Sequence, residues 1–186
     1  MKNSSLVIDI GQTFIKFVVI NNNRKIVDHI TLNNNLLIRK KILNYNISKL
    51  ENIIINNIKK VFKKHKIKKI IPITHGSASF FMNKNKELFS GPHFSQTTIK
   101  SFDKAFYNNV KKNDYAHSIK FNCYHNLGKS FYYLLQNREK LDIHKIFTFP
   151  SLINYILTEK LYLDKSYLAC HSFVMNFKKN KLINFF

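Results

Sequence analysis

The pattern of hydrophobic and polar positions predicts a β-meander followed by a helix in the first third of the chain. Three short runs rich in β-branched and aromatic residues are predicted to be strands, at 6–10, 14–20 and 26–32. A helix is predicted next, because apolar residues recur on one face and Ser48 and Glu51 have the spacing of a capping box.

The rest of the chain adds two strands and then helices. The run 68–74 contains three isoleucines in a nearly continuous apolar stretch, which is typical of a buried strand. The run 78–82 is predicted to be another strand. Helical signals follow at 101–110, 126–136 and 150–159. The order β-β-β-α-β followed by helices predicts a single α/β domain, 1–186, with a mixed sheet flanked by helices.

The chain is strongly basic, with 31 Lys and Arg against 10 Asp and Glu, a net charge of +21 over 186 residues. Such a balance points to an anionic partner such as nucleic acid. Almost all the basic residues are lysine, however, and the favoured residue types share AT-rich codons, so genome composition explains much of the charge. Seven lysines cluster between 59 and 69 with Phe62 as the single interleaved aromatic. We interpret this cluster as a solvated helix end, and we do not favour nucleic acid as a partner.

Composition also indicates the cellular compartment in which the protein is expected. The hydrophobic fraction of 45% excludes a disordered chain. Two cysteines cannot build a disulfide framework and suit a reducing compartment. The sequence predicts no signal peptide, and no apolar run approaches the ~20 residues that span a bilayer. We therefore expect a cytoplasmic protein without a membrane partner.

The most informative motif lies where the first predicted strand ends in Asp9 and a glycine turn follows. Gly11 allows close approach of the backbone to a ligand, and the N–H groups of Gln12 and Thr13 can donate to phosphate oxygens. Asp9 suits Mg²⁺ held through water. The turn is neither a Walker A loop nor a dinucleotide fingerprint, because a second strand follows instead of a helix. A plain hairpin with a buried Asp explains the same residues equally well.

A second candidate is Thr74-His75-Gly76-Ser77, at the end of the predicted buried strand. Ligands of α/β sheets bind outside the carboxyl ends of strands. Polar side chains beside a glycine suit the hydroxyl groups of a small polar substrate. The alternative is a core histidine bonded to the backbone.

Taken together, these segments resemble the FGGY carbohydrate kinases, members of the actin-like, heat-shock-ATPase-like and sugar-kinase superfamily. The segment 8–13 with Lys16 is similar to the first phosphate motif of that superfamily, and 72–78 is similar to the sugar-side strand end. Three more segments resemble internal FGGY segments in the same order, at 126–128, 148–158 and 166–172. The fuculokinase-like branch is the most similar.

The resemblance implies an actin-like ATPase (ribonuclease H-like) fold and transfer of the ATP γ-phosphoryl group to a sugar hydroxyl, with Mg²⁺. By the same resemblance, Asp9 is the metal-associated carboxylate. The residues implied to bind ATP are Asp9, Gly11, Gln12, Thr13 and Lys16. Those implied to line the sugar pocket are Thr74, His75, Gly76 and Ser77.

Departures from the family pattern limit the activity expected of this chain. Family members are more than twice this long, and the chain offers no counterpart of their base aspartate or of their second, adenosine-binding lobe. A family glycine that ends a helix is Glu159 here, which removes the usual cap. We therefore expect the N-terminal lobe of a split or truncated sugar kinase, inactive without a separately encoded C-terminal lobe. The alternatives are a non-catalytic remnant and a basic nucleic-acid-binding protein.

Overall fold

The structure is a computed structural model, and it describes residues 3–39, 43–76, 78–93, 103–109, 127–170 and 174–182. The chain forms two compact units. The first comprises Met1–Leu37 with Asn46–His75, and the second comprises Ile38–Tyr45 with Gly76–Phe186. The single domain over 1–186 stays a prediction.

The first unit is a four-stranded sheet with one helix, and its strand order is β3-β2-β1-β6. The strands are β1 (Asn3–Ile10), β2 (Phe14–Asn21), β3 (Ile26–Asn33) and β6 (Lys66–Thr74). The first three form an antiparallel meander, and β6 pairs parallel to β1. The helix α1 (Ile47–Lys64) precedes β6. Two short strands that pair with each other, β4 (Leu37–Arg39) and β5 (Leu43–Tyr45), come before α1 in the chain, and all of their residues except Leu37 fall in the second unit. The predicted β-β-β-α-β order and mixed sheet are confirmed.

Helix α1 begins after Asn46, earlier than the predicted capping box. The Lys49 N–H donates to Asn46 Oδ1 at 3.0 Å, whereas Ser48 lies inside the helix. Asn46 is itself fixed, because its N–H donates to the Leu36 carbonyl at 2.7 Å. The capping-box prediction is therefore wrong: an asparagine two residues earlier supplies the same cap.

One face of the sheet, the covered face, packs against α1. Strand alternation places six fully buried residues of β1 and β2 on this face: Leu6, Ile8, Ile10, Ile15, Phe17 and Val19. Asp28 of β3, in register with Val19, bonds His65 at the C-terminal end of α1, which fixes the helix on the same side. The core of the first unit therefore lies between α1 and the covered face.

The opposite face of the sheet, the open face, leaves apolar side chains in solvent. Ile71 and Ile73 of β6 are 44% and 49% exposed, and Ile26 of β3 is 65% exposed. Val7 and Val18, which pair with each other across β1 and β2, are half-buried on this face. Within the described part of the first unit there is no helix besides α1 to cover it. The prediction of a buried β6 is wrong, because among the described strands β6 lies at the sheet edge with one face uncovered.

A proline lies in the middle of β6. Pro72 is in register with Ile8 of β1. The His75 N–H donates to the Ile10 carbonyl at 3.0 Å, so alternation along the strand turns the backbone nitrogen of Pro72 away from β1. Proline lacks an N–H, but its missing donor falls on the outer edge, and the ladder to β1 stays intact.

The second unit contains an antiparallel sheet of order β8-β7-β9, a short β-hairpin and four described helices. The sheet strands are β7 (Ser79–Asn83), β8 (Leu88–Ser90) and β9 (Ile143–Thr148). The helices are α2 (Asp103–Asn109), α3 (Leu127–Gln136), α4 (Phe149–Thr158) and α5 (Lys165–Cys170), and the hairpin is β10 (Met175–Asn176) with β11 (Lys181–Leu182). Three predicted helices and the predicted strand 78–82 are confirmed within a few residues, whereas β9 was not predicted.

The C-terminal end of α4 keeps the backbone conformation that glycine usually supplies. Glu159 has φ 57°, and its N–H donates to the Tyr155 carbonyl at 2.7 Å. A residue with a Cβ in this left-handed conformation costs about 1–2 kcal/mol. The prediction that the usual cap is lost is therefore wrong: Glu159 forms the cap in place of glycine, at this conformational cost.

Candidate functional site

In the turn between β1 and β2, the carbonyls of Gly11 and Thr13 accept hydrogen bonds and two N–H groups are available. The Gly11 N–H donates to the Phe14 carbonyl at 2.9 Å and closes the turn. Asn34 holds the turn from outside, with its Nδ2 donating to the Gly11 carbonyl at 2.6 Å and its N–H donating to the Thr13 carbonyl at 2.8 Å. The N–H groups of Gln12 and Thr13 donate to no atom of the described residues. Asn34 was not predicted from the sequence, because its role depends on a hydrogen bond to a residue 23 positions earlier in the chain.

Gly11 is needed by the turn itself. A Cβ at this position would lie 3.3 Å from the Phe14 carbonyl oxygen, which is tighter than an ordinary van der Waals contact. Its φ is not positive, so crowding and not a left-handed backbone explains the glycine. A small residue here keeps the turn compact and its N–H groups accessible to an anion.

Asp9 and Lys16 lie opposite each other at the end of the hairpin. They are in register across β1 and β2, so their side chains share the open face, and Ile73 of β6 is the other neighbour of Asp9. Asp9 is half-buried and Lys16 is exposed. Among the described residues, no ion pair joins the two, and no side-chain hydrogen bond occupies the Asp9 carboxylate. A carboxylate and a cation thus stand beside the turn amides.

The end of β6 lies next to the end of β1, as expected for parallel strands. The His75 N–H donates to the Ile10 carbonyl, which brings the start of the second candidate motif, Thr74 and His75, to the same end of the sheet as Asp9. Alternation nevertheless separates two predicted site residues, because Thr74 is in register with Ile10 and its side chain lies on the covered face. Thr74 Oγ1 is buried and has no hydrogen-bond partner among the described residues.

The other two residues of the second motif are described less fully. Gly76 begins the second unit, and Ser77 lies outside the described residues. The prediction that both line a sugar pocket stays a prediction.

The residues at this end of the sheet are suited to bind a phosphate group together with Mg²⁺. No three His, Cys, Asp or Glu side chains of the described residues come together in a metal-binding group, so a cation at Asp9 would keep most of its water. Mg²⁺ behaves in this way, since it holds water strongly and takes one or two carboxylates. The N–H groups of Gln12 and Thr13 suit phosphate oxygens. Asp9 would hold the metal, and the turn with Lys16 would hold the phosphate.

The lysine cluster lies far from this edge. All seven lysines between 59 and 69 are exposed, on the last turns of α1 and the first residues of β6. The candidate site lies at the other end of β6, and even Lys69, the member of the cluster nearest to Thr74 along the strand, is about 17 Å from it at 3.3 Å per residue. The lysine cluster therefore does not contribute to the candidate site. Separately, none of the helices within the described residues is long and apolar enough to span a membrane.

Comparison with known proteins links the fold to carbohydrate kinases. No family model matches the sequence, and no curated protein matches it either. Among solved structures, a carbohydrate kinase from Novosphingobium aromaticivorans matches with a TM-score of 0.82 and 15% identity, covering 98% of this chain and 39% of that one. A gluconate kinase from Lactobacillus acidophilus matches with a TM-score of 0.75 and 18% identity, covering 99% and 39%.

A third match is the glycerol kinase of Plasmodium falciparum, solved with ADP, with a TM-score of 0.71 and 15% identity over 97% of this chain and 39% of that one. The resemblance inferred from the sequence motifs is thereby confirmed at the level of the fold. The chain has the fold of FGGY-type carbohydrate kinases, and it spans about two fifths of the length of the kinases that it matches.

Proposed function

We propose that this chain is the N-terminal part of an ATP-dependent carbohydrate kinase of the FGGY type. The proposal rests on the end of the sheet at which β1 and β6 both terminate. Within the part of the chain that the structure describes, this edge has an unpaired carboxylate at Asp9, unbonded N–H groups at Gln12 and Thr13, and a polar strand end at His75. The shared fold of sugar kinases supports it.

In this proposal ATP supplies the γ-phosphoryl group, and this chain binds the phosphate groups of the nucleotide together with Mg²⁺. Asp9 holds Mg²⁺ through water, while Gln12 and Thr13 donate N–H groups to phosphate oxygens. Lys16 adds a positive charge on the same face as Asp9. Charge neutralisation and positioning are the main contributions that a protein makes to phosphoryl transfer.

The sugar binds, in the same proposal, at the carboxyl end of β6. The predicted contacts are Thr74, His75, Gly76 and Ser77. The buried Thr74 hydroxyl lacks a partner in the described ranges, and leaving such a group unpaired costs about 1–3 kcal/mol. A substrate hydroxyl or a bridging water at this strand end would satisfy it.

Activity requires, in this proposal, the part of a kinase that this chain does not cover. The matched kinases extend well beyond the 39% that this chain covers. A missing general base alone costs about 10²–10⁴-fold in rate. We expect the isolated chain to bind ligands without turnover, and a separately encoded C-terminal lobe to supply the base and the adenosine contacts.

Ligand binding tests the proposal without requiring turnover. Thermal unfolding of the chain is measured with MgADP and with ADP and EDTA. It is also measured with gluconate and glycerol, the compounds named for two of the matched kinases, and with xylulose as a further sugar. We expect MgADP to raise the melting temperature by a few degrees, since a ligand at 100 times its Kd adds about 2.7 kcal/mol. Asp9→Asn should remove the magnesium-dependent part of this shift.

Glu51→Gln is the matched control, because Glu51 is an exposed acidic residue of the same unit, on α1. It should leave the MgADP shift unchanged. Absence of any shift with MgADP and with all three sugars would reject the kinase proposal and leave a non-catalytic remnant.

The exposed lysine cluster supports one different candidate, a nucleic-acid-binding protein. That candidate predicts binding of a short duplex or single strand with an affinity that falls steeply as salt rises. Fluorescence anisotropy between 50 and about 200 mM salt tests it. Weak binding whose affinity does not change with salt concentration would reject the nucleic-acid-binding candidate.

A further inference from the structure

We propose that the outer edge of β3 is a docking site for an extended acidic peptide segment of another protein, which adds to the sheet as a further strand. The site combines unpaired backbone groups of β3 with a groove that lies between β3 and α1. This inference does not depend on the proposed function.

The backbone of β3 has an outer side that the sheet does not use. Among the described strands, β2 is the one neighbour of β3. The Asn34 N–H donates to the Thr13 carbonyl at 2.8 Å, so this pair belongs to the ladder between the two strands. Backbone direction alternates along an antiparallel strand. The residues whose N–H and C=O groups therefore point away from β2 are His29, Thr31 and Asn33.

Four of these outward groups make no hydrogen bond to the described residues. The His29 N–H is occupied, since it donates to Asp28 Oδ1 at 2.8 Å, and the Asn33 carbonyl accepts from the Asn35 N–H at 3.1 Å. The His29 carbonyl, both backbone groups of Thr31 and the Asn33 N–H remain. Two donors and two acceptors at the spacing of a strand are the groups that the backbone of an added strand bonds.

A groove of about 610 Å³ lies beside β3. Leu32 of β3 lines it on one side, and one face of α1, from Asn46 to Lys60, lines it on the other. Leu32 is in register with Ile15, so the groove lies on the covered face of the sheet. Every second side chain of an added strand points toward that face. Alternate side chains of the peptide therefore enter the groove.

The groove is lined mainly by polar side chains, including Ser48 and four asparagines of α1 and its cap. One of these is Asn57, which is only 5% exposed. Its Nδ2 donates to the Ile53 carbonyl at 2.8 Å, whereas its Oδ1 is buried and has no partner in the described part of the chain. A buried acceptor without a partner is unfavourable. A polar occupant, or water held beneath it, can supply the missing donor.

Charge indicates that the occupant is acidic. Lys49 and Lys60 line the groove, and no acidic residue does so among the described residues. Two carboxylates lie on the elements that form the groove, at Asp28 and Glu51, but neither lines it, and Asp28 is bonded to His65. Glutamate or aspartate side chains that enter the groove therefore meet two cations and amide donors.

A second copy of this chain is a poorer occupant. Two β3 edges in contact would bring the groove lysines of both copies together and oppose two charges of +21. The β6 edge of a second copy is also unsuitable, because Pro72 lacks a donor in the middle of that strand. We therefore assign the edge to a segment of a different protein.

The test uses a fluorescent peptide of alternating threonine and glutamate, eight residues long, with its ends acetylated and amidated. Fluorescence anisotropy should show binding to the full chain with a Kd below about 1 mM, and a peptide of alternating threonine and lysine should not bind. Hydrogen exchange followed by NMR locates the contact. With the glutamate peptide bound, the Thr31 and Asn33 amides should exchange at least about tenfold more slowly. The Ile30 amide, which faces β2, is the internal control and should change little.

Two pairs of variants separate backbone bonding from charge. Thr31→Pro removes an outward N–H and should weaken peptide binding by about tenfold or more, whereas Thr31→Val keeps the N–H and should change the Kd less than about twofold. Proline is tolerated at such an edge position, and circular dichroism checks that the variant is folded. Lys60→Gln should weaken binding by about threefold. Lys59→Gln, at an exposed neighbour that does not line the groove, should have a smaller effect.

Several results would overturn the inference: no binding of the glutamate peptide, unchanged exchange at Thr31 and Asn33, or equal losses in Thr31→Pro and Thr31→Val. A homodimer in sedimentation that Thr31→Pro dissociates would assign the edge to a second copy instead. Tighter binding of single-stranded nucleic acid, with the same loss in Lys60→Gln, would also reject the peptide. The exchange measurement needs no variant, so it decides the question even if Thr31→Pro does not fold.

Discussion

The two faces of the four-stranded sheet are made by the same strands, yet their environments differ sharply. On the covered face, Ile8 and Phe17 are fully buried beneath α1. On the open face, Ile71 and Ile73 remain about half exposed. The number of apolar residues in a strand therefore does not measure how much the strand contributes to the stability of the protein. The contribution depends on whether another element of the fold covers those residues.

The largest expected difference between the faces comes from truncating one isoleucine on each. Ile8→Ala on the covered face should lower the free energy of unfolding by about 2–5 kcal/mol, because it leaves a cavity in a fully buried position. Ile71→Ala on the open face should cost less than about 1 kcal/mol. Urea unfolding monitored by circular dichroism measures both, and equal costs would contradict the comparison.

The next effect concerns the helix that covers the covered face. Asn46→Ala should cost about 1 kcal/mol, because it removes the acceptor that caps the α1 N-terminus. Ser48→Ala, the change suggested by the capping-box pattern, should be nearly neutral, since Ser48 lies inside the helix. A larger effect at Ser48 than at Asn46 would mean that α1 begins later than described.

A smaller, pH-dependent effect comes from the pair at the other end of α1. His65 Nε2 lies 2.9 Å from Asp28 Oδ2, and the hydrogen bond holds the pKa of the Asp28 carboxyl below its usual value. The stability from this pair is therefore present above about pH 4 and is lost as the pH falls through the lowered pKa.

Asp28→Asn should then cost less than about 1 kcal/mol at pH 7, since both side chains are partly exposed. It should also reduce the acid-induced loss of stability below pH 4. Unfolding curves from pH 3 to pH 7 measure this, with Glu51→Gln as the control. An unchanged pH profile would show that the pair does not hold α1 on the sheet.

The smallest effect on stability should be at the candidate site. Asp9→Asn should change the free energy of unfolding by less than about 0.5 kcal/mol, because the side chain is half-buried on the open face and makes no ion pair among the described residues. The magnesium-dependent part of its MgADP shift should nevertheless disappear. A large loss of stability would instead assign Asp9 a structural role.

The sequence predicted the meander, α1 and the strand at 68–74 because each has a clear local signal. Runs rich in β-branched and aromatic residues identified β1 to β3, a nearly continuous apolar run identified the strand at 68–74, and the apolar stripe identified α1. The prediction failed for the burial of β6, because isoleucine runs look the same in a central strand and in an edge strand. Only the strand order shows that β6 has a single neighbour among the described strands.

The candidate site was predicted in part. The turn at Gly11 and the strand end at Thr74 were found as local motifs, and the structure brings the two segments together through His75 and Ile10. The role of Asn34 and the opposite faces of Asp9 and Thr74 could not be predicted, because both depend on register between strands distant in sequence.

The proline in β6 has a consequence for how the molecule behaves in solution. With Pro72 turned outward, the exposed edge of β6 lacks one backbone donor in its middle. A foreign strand that tried to extend the sheet would leave one of its own carbonyls unbonded, which discourages open-ended polymerisation of the chain. The chain therefore resists fibre growth at this edge even though one face of its sheet exposes apolar side chains.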